Sequence, residues 1–178
     1  MATCISPYIA IIGDFFCINS SSLTKVMSSY LLGYLIGQYI FSKFSKKYNG
    51  LLSIRVGLIV ATAGFILQKL SFQFNTYSVF LIGRFITSLG LSSGLVVGFA
   101  IIKDNISSKN EKSYLSKIAM AFTVSIYLSI VISGYLSKII SVDFLFSGLI
   151  FYPVMLIPIT FYLPNTKKNI IQTNLHLD

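Results

Sequence analysis

The chain has 178 residues, of which 54% are hydrophobic and 11% charged, and its mean hydropathy is +0.79. Soluble domains carry about 25% charged residues, so this composition excludes an ordinary soluble fold and points to an integral membrane protein. The formal net charge of +9 fits basic loops flanking membrane spans; with no RNA-binding aromatic motif and no separate basic helix, it does not imply a nucleic-acid partner.

In chain order, the first apolar stretch is "MATCISPYIAIIG", Met1 to Gly13. Helix of that length rises about 20 Å, against a hydrocarbon core of about 30 Å. Pro7 weakens it further. It has neither the basic start nor the small-residue cleavage site of a signal peptide, and reads as the outer part of a helix whose beginning is missing. Cys4 and Cys17 form no CxxC pair and have no histidine nearby, so a metal site is not expected. Five spans long enough to cross a bilayer follow: Leu23–Phe44, Leu51–Leu70, Tyr77–Ile102, Tyr114–Ile139 and Phe144–Leu163. Pro164 ends the last, and residues 165–178 form a polar tail that holds His176. The expected fold is an all-α integral membrane six-helix bundle over residues 1–164, with a short first helix.

Basic residues orient the bundle. Lys43, Lys46, Lys47, Arg55, Lys103, Lys109, Lys112, Lys117, Lys167 and Lys168 gather on one side; Lys25, Lys69 and Lys138 lie on the other. The positive-inside rule assigns the richer side, with the C-terminal tail, to the cytoplasm.

One cation is left within a span. Arg84 lies in "FLIGRFITSLGLSSGLVVGFA", about 10 Å from the outer end of its helix at 1.5 Å per residue. An arginine at mid-membrane costs about 2.5–3.5 kcal/mol on insertion scales. Snorkelling is at the limit of its reach, so it is expected to face a watery cavity, with Thr87, Ser88 and Leu91 on the same face. Asp14, at the outer end of the first helix, is the candidate counter-ion, and Asp143 a weaker one. No acidic residue lies deep in any span, although proton relays through membranes use such groups. Gly90, Gly94 and Gly98 recur at a spacing of four, as do Ser29, Gly33 and Gly37, and each set offers a stripe for close helix packing. Phosphate-binding, dinucleotide, nucleophile-elbow and HExxH patterns are absent, and an enzyme is not expected.

Several stretches together resemble one family. "SSYLLGYLIGQYIFSKFSKK" resembles the second helix and following loop of major facilitator superfamily transporters, "GRFITSLGLSSG" the fourth-helix motif "RFLQGLGAAAG", "AIIKDN" the "AIVRDL" that ends that helix, "SGYLSKI" the glycine-rich close of the fifth, and "FYLPNT" the "LLPET" that closes the sixth. The likeness runs from about Pro7 to Thr166 and is closest to bacterial drug/proton antiporters of the bicyclomycin- and chloramphenicol-resistance (Bcr/CflA) group.

The resemblance implies the N-terminal half of a drug exporter of the bacterial inner membrane, truncated at both ends. It would export drug-like molecules with no cofactor, driven by the proton gradient, and rock against a second six-helix chain. It puts the family's fourth-helix arginine, thought to act in proton coupling, on Arg84. The family's loop pattern GxxSDRxGRR departs here to Ser42, Lys46, Asn49 and Gly50; the loop keeps its positive charge, and Lys46 and Lys47 are expected to pair with Asp104 as a gate. The family's fifth-helix proline is missing from Ser129 to Ser133, and Cys4 stands near the first helix's usual aspartate. Two alternatives stay open: an inactive remnant, and a membrane subunit that does not transport.

Overall fold

The computed structural model describes residues 3–105 and 108–162. A 3-10 segment, Thr3–Tyr8, leads into α1 (Ile9–Phe15), followed by α2 (Ser20–Lys47), α3 (Gly50–Gln73), α4 (Tyr77–Asn105), α5 (Ser108–Leu136) and α6 (Val142–Tyr162). The described residues contain no strand, so the all-α six-helix expectation stands, with the first helix short. Pro7 sits inside the 3-10 segment, and the α-helical part that follows has 7 residues, about 10 Å of rise. The polar tail lies outside the described residues.

Four helices are both long and apolar enough to cross a membrane: α3, and the stretches Tyr77–Ala100, Lys112–Leu136 and Phe144–Tyr162 of α4, α5 and α6. Here the structure departs from the count of five full spans. α2 has 28 residues, but serines and lysines dilute its apolar content. One face of it packs on α4, so it need not be apolar all round.

α4 is the central helix, pressed between α2 and α3. Glycines set how close these helices come. A Cβ built on Gly33 would lie 2.2 Å from Ser88 Oγ and 2.4 Å from the Phe85 carbonyl; one on Gly37 would lie 2.3 Å from Ser92 Oγ. On the opposite side, a Cβ on Gly57 would lie 1.9 Å from Ser93 Oγ, one on Gly64 2.4 Å from Thr87 Oγ1, and one on Gly90 2.4 Å from the Gly57 carbonyl. A Cβ on Gly33, Gly37 or Gly90 would thus run into the facing helix, whereas one on Gly94 or Gly98 meets no described atom within 4 Å. Below Gly90 the small residues used by α4 are serines, because α2 and α3 approach faces that the glycine spacing does not mark.

The core lies at the end where α3 meets α4. Phe72, Phe80 and Phe146 cluster there with ring centroids 5.2–6.1 Å apart, joined by Ile5, Tyr8, Ile12, Val26, Phe65 and Leu149. α6 lies against α3 and is tied to it near both ends. Lys69 Nζ donates to Ser147 Oγ (2.9 Å), and Arg55 Nη2 donates to the Thr160 carbonyl (2.9 Å). α5 is peripheral; its apolar stretch is unburied, and its contacts run to the 3-10 segment and α4.

Gly57 and Gly94 make opposite predictions. In thermal unfolding in detergent, Gly57→Ala is expected to cost about 1–3 kcal/mol, because its Cβ meets Ser93 and the Gly90 backbone. Gly94→Ala, whose Cβ meets no described atom, is expected to stay within about 0.5 kcal/mol of the parent chain.

Candidate functional site

Arg84 is 1% exposed. α4 carries it one turn beyond Phe80, and α2 supplies the surface it meets. Its guanidinium carbon lies 4.9 Å from the centroid of the Tyr30 ring, itself 8% exposed. A cation over an aromatic face is attracted by the ring quadrupole, more strongly when both are out of water. Where the sequence led to the expectation of a watery cavity, the guanidinium packs over the Tyr30 ring.

Two guanidinium nitrogens, Nε and Nη2, are buried without a hydrogen-bond partner among the described residues. These two form the side-on fork of an arginine, the pair of parallel N–H donors that matches the two oxygens of a carboxylate. Other polar groups are buried in the same bundle. Gln68, on α3, is 0% exposed; its Nε2 donates to Thr87 Oγ1 (2.6 Å) and to the Gly64 carbonyl (3.3 Å), while Oε1 has no partner among the described residues. The Tyr8 hydroxyl is likewise buried and unpartnered. Thr87 and Ser88 are buried beside Arg84, as its polar face predicts. Ser88 Oγ donates to the Phe85 carbonyl of its own helix (2.8 Å).

Asp14 is not brought to Arg84. It lies exposed near the end of α1, while the guanidinium packs on Tyr30. α1 turns Ile12 and Gly13 inward and leaves Asp14 on its exposed face. The side chains of Asp143 and Asp104 lie outside the described residues, so the pairing of Asp104 with Lys46 or Lys47 does too. Lys46 and Lys47 are exposed on the last turn of α2, and Lys47 Nζ lies 5.4 Å from the Tyr48 ring centroid.

Along the seam of α2 and α4 runs a groove of about 450 Å³, lined by Lys25, Ser28, Ser29, Leu32, Leu81, Ile82 and Phe85. It is apolar along its length with a cation at one end. Ser29 Oγ donates to the Leu81 carbonyl across the seam (2.9 Å) and closes its floor.

A family model described as Major Facilitator Superfamily matches residues 1–175. The chain belongs to the major facilitator superfamily. No curated protein and no solved structure gives a match. Members of this superfamily are transporters rather than enzymes, and the apolar helices described above make this a multi-pass membrane protein.

Tyr30 and Gln68 were not marked as site residues by the sequence. A glutamine in the apolar run "AGFILQKL" is a signal of its kind, since an amide in a span needs a partner. Tyr30 has no such signal, because tyrosines are frequent along this chain. The ring's role predicts a coupling. Tyr30→Leu is expected to cost about 1–2 kcal/mol in thermal unfolding and Tyr30→Phe less, with the Tyr30→Leu loss shrinking in an Arg84→Leu background.

Proposed function

We propose that this chain is the N-terminal half of a drug/proton antiporter of the Bcr/CflA group in a bacterial inner membrane, its tail in the cytoplasm. The observation that carries the reading is Arg84, a permanently charged side chain 1% exposed, whose donor fork meets neither a partner nor a carboxylate among the described residues. Burying an unpaired charge is costly, and such groups in membrane proteins mark transport pathways.

Arginine does not deprotonate in a protein, so Arg84 cannot itself carry the proton. Its role is to hold an anionic group during part of the cycle and release it when that group is protonated. That acid would come from a second six-helix half, across an interface that rocks between inward-open and outward-open states. The α2–α4 groove, apolar with serines and Phe85 along it, supplies a wall that suits drug-like molecules held by shape and apolar surface. Lys46 and Lys47, on the last turn of α2, would gate the cytoplasmic side with Asp104.

A second reading is supported by the same loop. Lys46 stands where the family's pattern has aspartate, and α5 leaves its apolar stretch unburied. A non-transporting subunit or an inactive remnant fits both.

Fluorescent-dye retention in energised cells separates these readings. For a carrier, expression lowers retention, a protonophore abolishes the effect, and Arg84→Ala returns retention to the empty-vector level. Efflux unchanged by Arg84→Ala removes its role in coupling. No efflux, even with a second six-helix chain supplied, leaves the subunit or remnant reading.

A further inference from the structure

Arg55 lies on the second turn of α3, half-buried, at the basic end of the bundle. An arginine there would ordinarily extend its head to the lipid phosphates. Instead it turns onto the last turn of α6. Nε donates to Thr160 Oγ1 (3.2 Å), Nη2 donates to the Thr160 carbonyl (2.9 Å), and the guanidinium carbon lies 3.9 Å from the Phe161 ring centroid.

The sequence explains why that carbonyl needs a donor. In a continuing helix the Thr160 carbonyl would accept from the N–H of residue 164. Residue 164 is proline, which has no N–H. In a membrane an unsatisfied carbonyl costs several kcal/mol. Nη2 of Arg55 supplies the bond that Pro164 cannot, and places a cation at the negative end of the α6 dipole. Thr160 Oγ1 passes the contact on, donating to the Ile157 carbonyl (2.7 Å). α6 already carries Pro153 and Pro158, so its backbone ladder has lost two donors before its end is reached.

We propose that Arg55 is a latch: it closes the last described turn of α6 and couples that turn to the connection between α2 and α3. The second half of the proposal follows from the stiffness of the loop. Tyr48 and Asn49 alone separate the two helices. The Tyr48 N–H is bonded to the Phe44 carbonyl (2.9 Å), and the Asn49 side chain accepts from the Leu51 N–H (3.3 Å). With both helix ends capped, a displacement of the α6 terminus moves the start of α3 through Arg55, and with it Lys46 and Lys47. The latch is independent of whether the chain transports.

Amide hydrogen exchange on the full chain in lipid nanodiscs tests it. Arg55→Gln is expected to speed exchange about tenfold both at residues 159–162 and at residues 48–52, a bond to a charged donor being lost. Pro164→Ala restores an N–H at the required position, so in the Arg55→Gln background it is expected to slow residues 159–162 again while leaving residues 48–52 fast. Unchanged exchange in Arg55→Gln overturns the latch. Faster exchange confined to residues 159–162 overturns the coupling. Failure of Pro164→Ala to restore protection overturns the assignment of the Thr160 carbonyl as the group served. Should Arg55→Gln not accumulate, Arg55→Lys keeps the charge with a single point donor and is expected to speed both segments about threefold; exchange equal to the parent chain overturns the proposal.

Discussion

The structure depends on how closely α4 approaches its two neighbours. In lipid there is no hydrophobic drive to bring helices together, so contact itself must hold them. Gly33 and Gly37 on α2 and Gly57 and Gly64 on α3 leave no room for a side chain, and Ser88, Ser92, Ser93 and Thr87 of α4 fill the spaces they open. Backbone meets side chain at distances a Cβ would forbid. That approach on both sides takes Arg84 out of contact with the surroundings and seats its guanidinium over Tyr30. The same approach brings Gln68 to Thr87. Loosen the glycine contacts and the arginine is no longer buried, so its chemistry is a product of packing rather than of its position in the span alone.

The other pairing, α3 with α6, works differently. α6 has two prolines, a weakened backbone ladder and no glycine that packs closely: a Cβ on Gly148 would meet no described atom within 4 Å. It is held by polar ties near each end, Lys69 to Ser147 and Arg55 to Thr160. The two antiparallel helices advance by nearly the same number of residues between the ties, so the two bonds fall in matching register.

Much of this was legible in the sequence, for identifiable reasons. Apolar runs separated by basic loops marked the helices, since bilayer thickness sets their length. Arg84 stood out because a charge in such a run has a cost, and Thr87 and Ser88 followed from helical spacing. The identity of its neighbour did not follow. Asp14 was the nearest acid by depth, but depth says nothing of which face a short helix turns inward, and Tyr30 on α2 occupies the place. Gly94 and Gly98 share the spacing of Gly90, yet the neighbours approach faces marked by serines instead. Spacing identifies residues on one face; the arrangement of all the helices decides which face is used. Arg55 counted only as one more basic residue on the richer side, because its meaning lies in a proline more than a hundred positions away in the chain.

The serines of α4 bear on how the chain enters the membrane. Ser88, Ser92 and Ser93 each donate to a carbonyl of their own helix, at Phe85, Leu89 and Gly90. Their hydroxyls therefore need no partner from another helix at the moment of insertion. Arg84 is the group on α4 that does need help. Tyr30 lies earlier in the chain and is synthesised first, so α2 can stand ready with its ring when the arginine emerges. Biogenesis of this bundle then has a direction: the helices that shelter the charge precede the helix that carries it.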